Sequence, residues 1–286
     1  MQGNRADIGQ IQIHRMLPNP YAKSVGPFVF LDHFGPTKHR PDEPVQKNGN
    51  GAHPHRGIAT LTYVLSGEEE HFDSKGNYGK ILSGGVQWMK AGNGIVHDGN
   101  LNVDTQKGDL LTHGFQFWIN LPSKNKSESA RHLAVQANEV PLQTLTDNRG
   151  WLKVIVGEYE TLVSKIPIYS KQFIYHIHLE EGKQFSLATE DSLEYAAFLP
   201  VQKAVINDAE FSSGELIMFD QDEGRLEISN RSGDGIDVIL FGGAKYNEPI
   251  VFGGPFVMNS QAEIAQAYED FHAGKYGEIN YAAEAR

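Results

Sequence analysis

Cysteine is absent from the 286-residue sequence, which removes disulfides, thiolate metal sites and a catalytic thiol. Any metal chemistry must therefore use His, Asp or Glu. No apolar run approaches the roughly 18 residues of a spanning helix. The opening stretch "MQGNRADIGQIQIHRMLPNP" also lacks the apolar centre of a secretory signal. The expectation is a cytoplasmic protein with no membrane association. Basic residues are few, 25 against 36 acidic, for a formal net charge of −11 with no basic stripe, so direct nucleic-acid binding is not expected. Seryl catalysis has no support, and "GGVQWMKAGNG" lacks the Lys-Ser/Thr ending and following helix of a phosphate loop.

What remains is dominated by short β-rich runs separated by Gly, Pro, Asn or Asp, such as "IATLTYVL", "FQFWINL", "LKVIVGEY", "FIYHIHL" and "IDVILFGG". That spacing predicts an all-β chain of sandwich or barrel type. Helical periodicity is scarce until "NSQAEIAQAYEDFHAGKYG", where Ser260 and Glu263 have capping-box spacing and Ile264, Tyr268 and Phe271 share a face. A helix is expected over about 260–273. The length suggests two domains, and the polar stretch within 123–140 supplies the boundary, giving residues 1–130 and 131–286.

The chemistry concentrates in histidine. His53 and His55 in "HPH" are two apart, so an extended backbone points both the same way. Pro54 places the pair at a strand entrance or edge. His97 follows a strand-like run and the Gly92–Gly94 turn, and a hairpin there would bring it against the pair. Three imidazoles suit zinc, iron, copper or nickel better than magnesium or calcium and leave positions open for water, oxygen or substrate.

The segments "VGPFVFLDHFGP", "HPHRGIATLTYVLSGE", "DSKGNYGKILSGGVQWMKAGNGIVH", "FQFWINLP" and "FGGPFVMNSQAEIAQAYEDFHAGKYG" keep the order in which they occur in the pirin family of the cupin superfamily, and the resemblance runs nearly end to end. It implies a bicupin, two β-sandwich barrels in tandem, with one mononuclear divalent metal in the amino-terminal barrel and none in the other. The metal it implies is iron, with zinc, nickel, copper or manganese as alternatives. The family's metal histidines fall on His53, His55 and His97. Its glutamate two positions after the third histidine is Gly99 here, and the one two positions after "HPHRG" is Ala59. Some pirins resemble quercetin 2,3-dioxygenases, which open a flavonol ring with molecular oxygen. Others act as metal-dependent partners of transcription proteins. The expected partner is thus a small aromatic or enolic substrate or another protein, and a monomer is expected.

Other residues are weighed against plainer roles. His33 is a candidate for the pocket mouth, and Gln116 and Asn120 for reaching the cavity from a buried central strand. A second His-x-His, His176 and His178, has no third histidine before His272, which lies in the expected helix. No second metal is expected. Glu68, Glu69 and Glu70 after Gly67 read as a solvated loop.

Overall fold

A computed structural model describes residues 1–8, 11–41 and 49–282. The strands are β1 (Asn4–Ile8), β2 (Ile11–Leu17), β3 (Phe28–Lys38), β4 (His53–His55), β5 (Ile58–Ser66), β6 (Glu68–Asp73), β7 (Tyr78–Ile81), β8 (Val86–Lys90), β9 (Ile95–Asn102), β10 (Leu111–Asn120) and β11 (Arg131–Val135). There follow β12 (Leu142–Leu145), β13 (Gly150–Val156), β14 (Glu158–Tyr159), β15 (Leu162–Val163), β16 (Gln172–Leu179), β17 (Gln184–Thr189), β18 (Leu193–Phe198) and β19 (Ala204–Ile206). The chain ends with β20 (Ala209–Phe211), β21 (Leu216–Met218), β22 (Gly224–Ser229), β23 (Ile236–Ala244), β24 (Val251–Gly253), β25 (Phe256–Met258) and the helix α1 (Gln261–His272).

These elements form two compact units, but no single cut separates them. Met1–Arg5, His14–Val29 and Val140–Tyr246 belong to one; Ala6–Ile13, Phe30–Glu139 and Asn247–Arg286 belong to the other. The expected division at residue 130 does not describe this partition, because the segment after residue 246 returns to the unit that holds His53 and His55. The return is fixed by Val257 N–H donating to the Arg56 carbonyl at 3.2 Å and by the Arg56–Asp270 ion pair at 2.6 Å.

In this histidine unit β10, β5, β8 and β11 belong to a seven-stranded sheet of order β1-β2-β3-β10-β5-β8-β11, and a four-stranded sheet runs β4-β9-β6-β7. Alternation on β5 and β10 sends Thr60, Thr62, Gln116 and Trp118 to one face and Ala59, Leu61, Phe117 and Ile119 to the other. The first set faces the four-stranded sheet, since Thr62 Oγ1 reaches Glu69 and the Trp118 ring lies 4.9 Å from that of His55. The apolar floor between the sheets is built by Ile58, Met89, Ala91, Ile95 and Val257. The "AGNG" turn does not make the expected hairpin: β8 and β9 belong to different sheets, and the turn carries the chain across. Its glycines are required, because Gly92 has a φ of 50° and a Cβ there would stand 2.1 Å from the Glu128 carbonyl.

The helix starts where the capping residues place it, with Ser260 Oγ accepting from Glu263 N–H at 3.2 Å. Its buried residues are Ile264 and Ala267, while Tyr268 stays 38% exposed, so the apolar stripe is narrower than the spacing suggested.

The other unit has a six-stranded sheet, β12-β13-β16-β23-β18-β21, and a four-stranded one, β17-β22-β19-β20. Between them lies an apolar and aromatic cluster that includes Leu152, Tyr175, Ile177, Phe185, Leu226 and Val238. Each unit is therefore a two-sheet β-barrel, and among the described residues the His53, His55 and His97 cluster lies in the one that holds β4 and β9.

Candidate metal centre

β4 and β9 pair antiparallel with His53 opposite His97 and His55 opposite Ile95. Because directly opposed residues share a face, all three imidazoles point to the same side of the sheet. His53 Nε2 lies 2.9 Å from His55 Nε2 and 3.1 Å from His97 Nε2. One nitrogen from each of the three lies within 4.8 Å of the others, and among the described residues no other such group of His, Asp or Glu occurs.

The tautomers decide what this contact is. His53 Nδ1–H donates to the Gly51 carbonyl at 2.6 Å and His55 Nδ1–H to the Pro255 carbonyl at 2.9 Å. A ring in this tautomer carries a bare lone pair at Nε2, so two such Nε2 atoms cannot hydrogen-bond to each other. A cation between them satisfies both. Burial, with His53 next in weight, holds His55 down at about 3, and burial likewise holds His97 well below the usual imidazole range. Both remain neutral, as metal ligation requires. Nitrogens bound at about 2.1 Å lie about 3.0 Å apart when the bonds are at right angles and about 3.4 Å apart when tetrahedral. The separations of 2.9 and 3.1 Å from His53 are close to such ligand spacings. The donor set and its spacing fit a divalent ion.

The walls are specific. Trp118 and His55 meet in a T-shaped contact, and Phe30 stacks on Trp118 with centroids 4.3 Å apart. On β6, Glu69, His71 and Asp73 face the same way as His97, since His71 pairs with Gly99 and Asp73 with His97. His71 Nε2 bonds Asp73 Oδ2 at 3.1 Å, and its ring stacks on His132 at 4.1 Å with planes 3° apart. Burial, followed by the charge of His71, lowers His132 to about 3.

Residues 10–119 match the Pirin family model and residues 174–277 match the Pirin C-terminal cupin domain. A Pseudomonas aeruginosa protein named "Putative quercetin 2,3-dioxygenase" is 33% identical over 258 residues, covering 90% of this chain and 89% of its own. The chain belongs to the pirin family. A tomato pirin-like protein is 31% identical over 93% of this chain and 87% of its own. The crystal structure of an Acinetobacter baumannii quercetin 2,3-dioxygenase superposes with a TM-score of 0.88 at 29% identity, covering 98% of this chain and 97% of that one. An Escherichia coli pirin solved with nickel(II), at 20% identity and a TM-score of 0.64 over 85% of this chain and 96% of that one, shares the fold. The two barrels described above are thus the two cupin domains of a pirin.

Against the pirin pattern, the remaining candidate residues sort by face. Position 59 points away from the chamber, so Ala59 removes no acid from it. Gly99 points into it, two residues beyond His97 on the same strand face, and its φ is not in the left-handed region. Gln116 sits beside Thr62 on the chamber face. Asn120 is committed elsewhere: its Oδ1 accepts from Lys126 Nζ at 2.5 Å, and that ammonium also donates to the carbonyls of Gly57 and Val257. His33 is placed with His113, Nε2 to Nε2 at 2.9 Å, and stacks on Phe115. Phe115 alternates with Gln116, so His33 belongs with the face opposite the chamber rather than with the pocket mouth.

The reading of Glu68–Glu70 as a solvated loop is overturned. The three acids are the start of strand β6, with Glu68 and Glu70 turned toward Lys80 and Glu69 turned inward. In the other barrel, His176 Nε2 and His178 Nδ1 both bond Asp237 Oδ1, at 3.0 and 2.8 Å, against Trp151. Among the described residues no helix is long and apolar enough to cross a membrane.

Proposed function

We propose that this pirin holds one late first-row divalent ion on His53, His55 and His97 and opens the ring of a flavonol or related enolic aromatic with molecular oxygen. The observation that carries the reading is the pair of bare Nε2 lone pairs facing each other at 2.9 Å, each fixed by a backbone carbonyl behind it. Imidazole ligands suit iron, nickel, copper or zinc, and iron is the ion taken first. When bound, such an ion acts as a Lewis acid toward an enolate oxygen.

The protein's own part is orientation and exclusion. The Gly51 and Pro255 carbonyls hold two rings in the ligating tautomer. Trp118, backed by Phe30, offers a flat apolar wall to an aromatic ring, and Met89 and Ile95 close the floor. Thr62 and Gln116 provide polar groups on the same sheet face. The named activities of the relatives at 33% and 29% identity support the reaction class.

A second reading, a metal-dependent interaction protein without turnover, draws on the absence of any carboxylate from the ligand group. Oxygen uptake separates the two. Iron-loaded protein given a flavonol consumes about one O2 per flavonol in the first reading. In the second it binds metal and leaves dissolved oxygen unchanged.

A further inference from the structure

Glu69 turns its carboxyl from β6 into the chamber of the histidine barrel, beside Thr62. Its Oε1 accepts from Thr62 Oγ1 at 3.1 Å, while Oε2 is sealed from solvent and has no hydrogen-bond partner. A buried, unpaired carboxyl oxygen is costly, and its persistence asks for a use. Its position gives one. β6 lies beside β9, and Glu69 shares the face of His71 and Asp73, which pair with Gly99 and His97. Glu69 Oε1 is 3.4 Å from the point that a Cβ of Gly99 would occupy. Gly99 follows His97 by two on the same strand face, roughly 7 Å along the strand. The glycine leaves open the space beside His97, and the carboxyl of the next strand borders that space.

We propose that Glu69 accepts the proton of an enolic or phenolic hydroxyl on the ligand held at the three-histidine centre, acting from β6 through the gap left by Gly99. The step moves one proton from the ligand O–H to a Glu69 carboxylate oxygen and leaves the ligand as its enolate; no bond to carbon changes. The proposal rests on the function proposed above. Burial pushes the Glu69 carboxyl up to about 8, close to neutral pH, where exchange with a weakly acidic hydroxyl costs least. Glu69 is not one of the ligand group, so its loss spares the metal. Glu70, one residue on, bonds Tyr78 on the other face and serves as the control.

The test is the absorption spectrum of a flavonol added without oxygen to full-length, metal-loaded parent, Glu69→Gln and Glu70→Gln, with metal content and melting temperature measured on each. Parent and Glu70→Gln should show the long-wavelength band of the ionised flavonol at pH 7. Glu69→Gln should keep its metal and bind the flavonol, with the rate at which the ionised band appears after rapid mixing reduced about tenfold or more. An undiminished rate in Glu69→Gln, or an equal slowing in Glu70→Gln, overturns the proposal while the centre's function stands. Loss of metal in Glu69→Gln also overturns it, since a ligand would then have been removed. A parent that binds no flavonol overturns the function and this proposal with it.

Discussion

The Pro255 carbonyl accepts the Nδ1–H of His55 at 2.9 Å across 200 residues of sequence, and so sets which nitrogen of that imidazole faces the chamber. The segment carrying Pro255 is held beside β4 by Val257 N–H on the Arg56 carbonyl and by Arg56 on Asp270 of α1. Loosening that clasp should be felt at the centre. Asp270→Ala is expected to lower the melting temperature and to weaken metal binding by up to about tenfold, on the scale of bonds that support a ligand from behind. Melting curves and competition with a metal-binding dye check it; unchanged affinity would mean that the Pro255 carbonyl is placed without the clasp.

Gly99 is free to carry a side chain. Its backbone is not left-handed, and the nearest atoms to a Cβ there are Glu69 Oε1 at 3.4 Å and the Glu70 carbonyl at 3.9 Å, both ordinary contacts. Gly99→Ala should therefore fold with stability within about 1 kcal/mol of the parent or slightly above it, since glycine weakens a strand interior. Urea unfolding measures this, and a loss of several kcal/mol would show that the glycine is a backbone requirement.

His132 gives a pH dependence with a definite sign. Its folded pKa is depressed to about 3 by burial, against 6.5 in the unfolded chain. The unfolded state thus takes up a proton that the folded state refuses. The stability this neutral ring allows is whole above about 6.5 and is lost as pH falls toward 3. Between pH 6.5 and 5 the loss for one such group is about 2 kcal/mol. His132→Gln should flatten the dependence of the metal-free protein by that order, read from urea midpoints at pH 7 and 5. Parallel curves for parent and variant would mean that His132 charges in the fold.

How far the sequence carries this site depends on the residue. The two-residue spacing of His53 and His55 and the position of His97 lead directly to convergent rings, because strand alternation is a local rule. Ser260 and Glu263 mark the helix start for the same reason. Glu69 was hidden by its neighbours: three consecutive acids look solvated, yet on a strand the middle one turns inward while Glu68 and Glu70 meet Lys80 outside. The signal lay in the period-two set Glu69, His71, Asp73 opposite the buried Phe72. Asn120 misled because nothing in "FQFWINLP" announces that Lys126 will claim its side chain. The return of residues 247–286 to the histidine barrel, and the Pro255 carbonyl it delivers, are long-range facts with no local pattern.

The most direct measurement of the central claim is elemental analysis of tag-free protein, parent and variants, after incubation with iron(II) and gel filtration. The parent should retain about one equivalent; His53→Ala, His55→Ala and His97→Ala should each fall well below it; and the double change His176→Ala with His178→Ala should match the parent. One equivalent retained in all three single variants, or lost in the double one, would contradict a single centre on these three histidines.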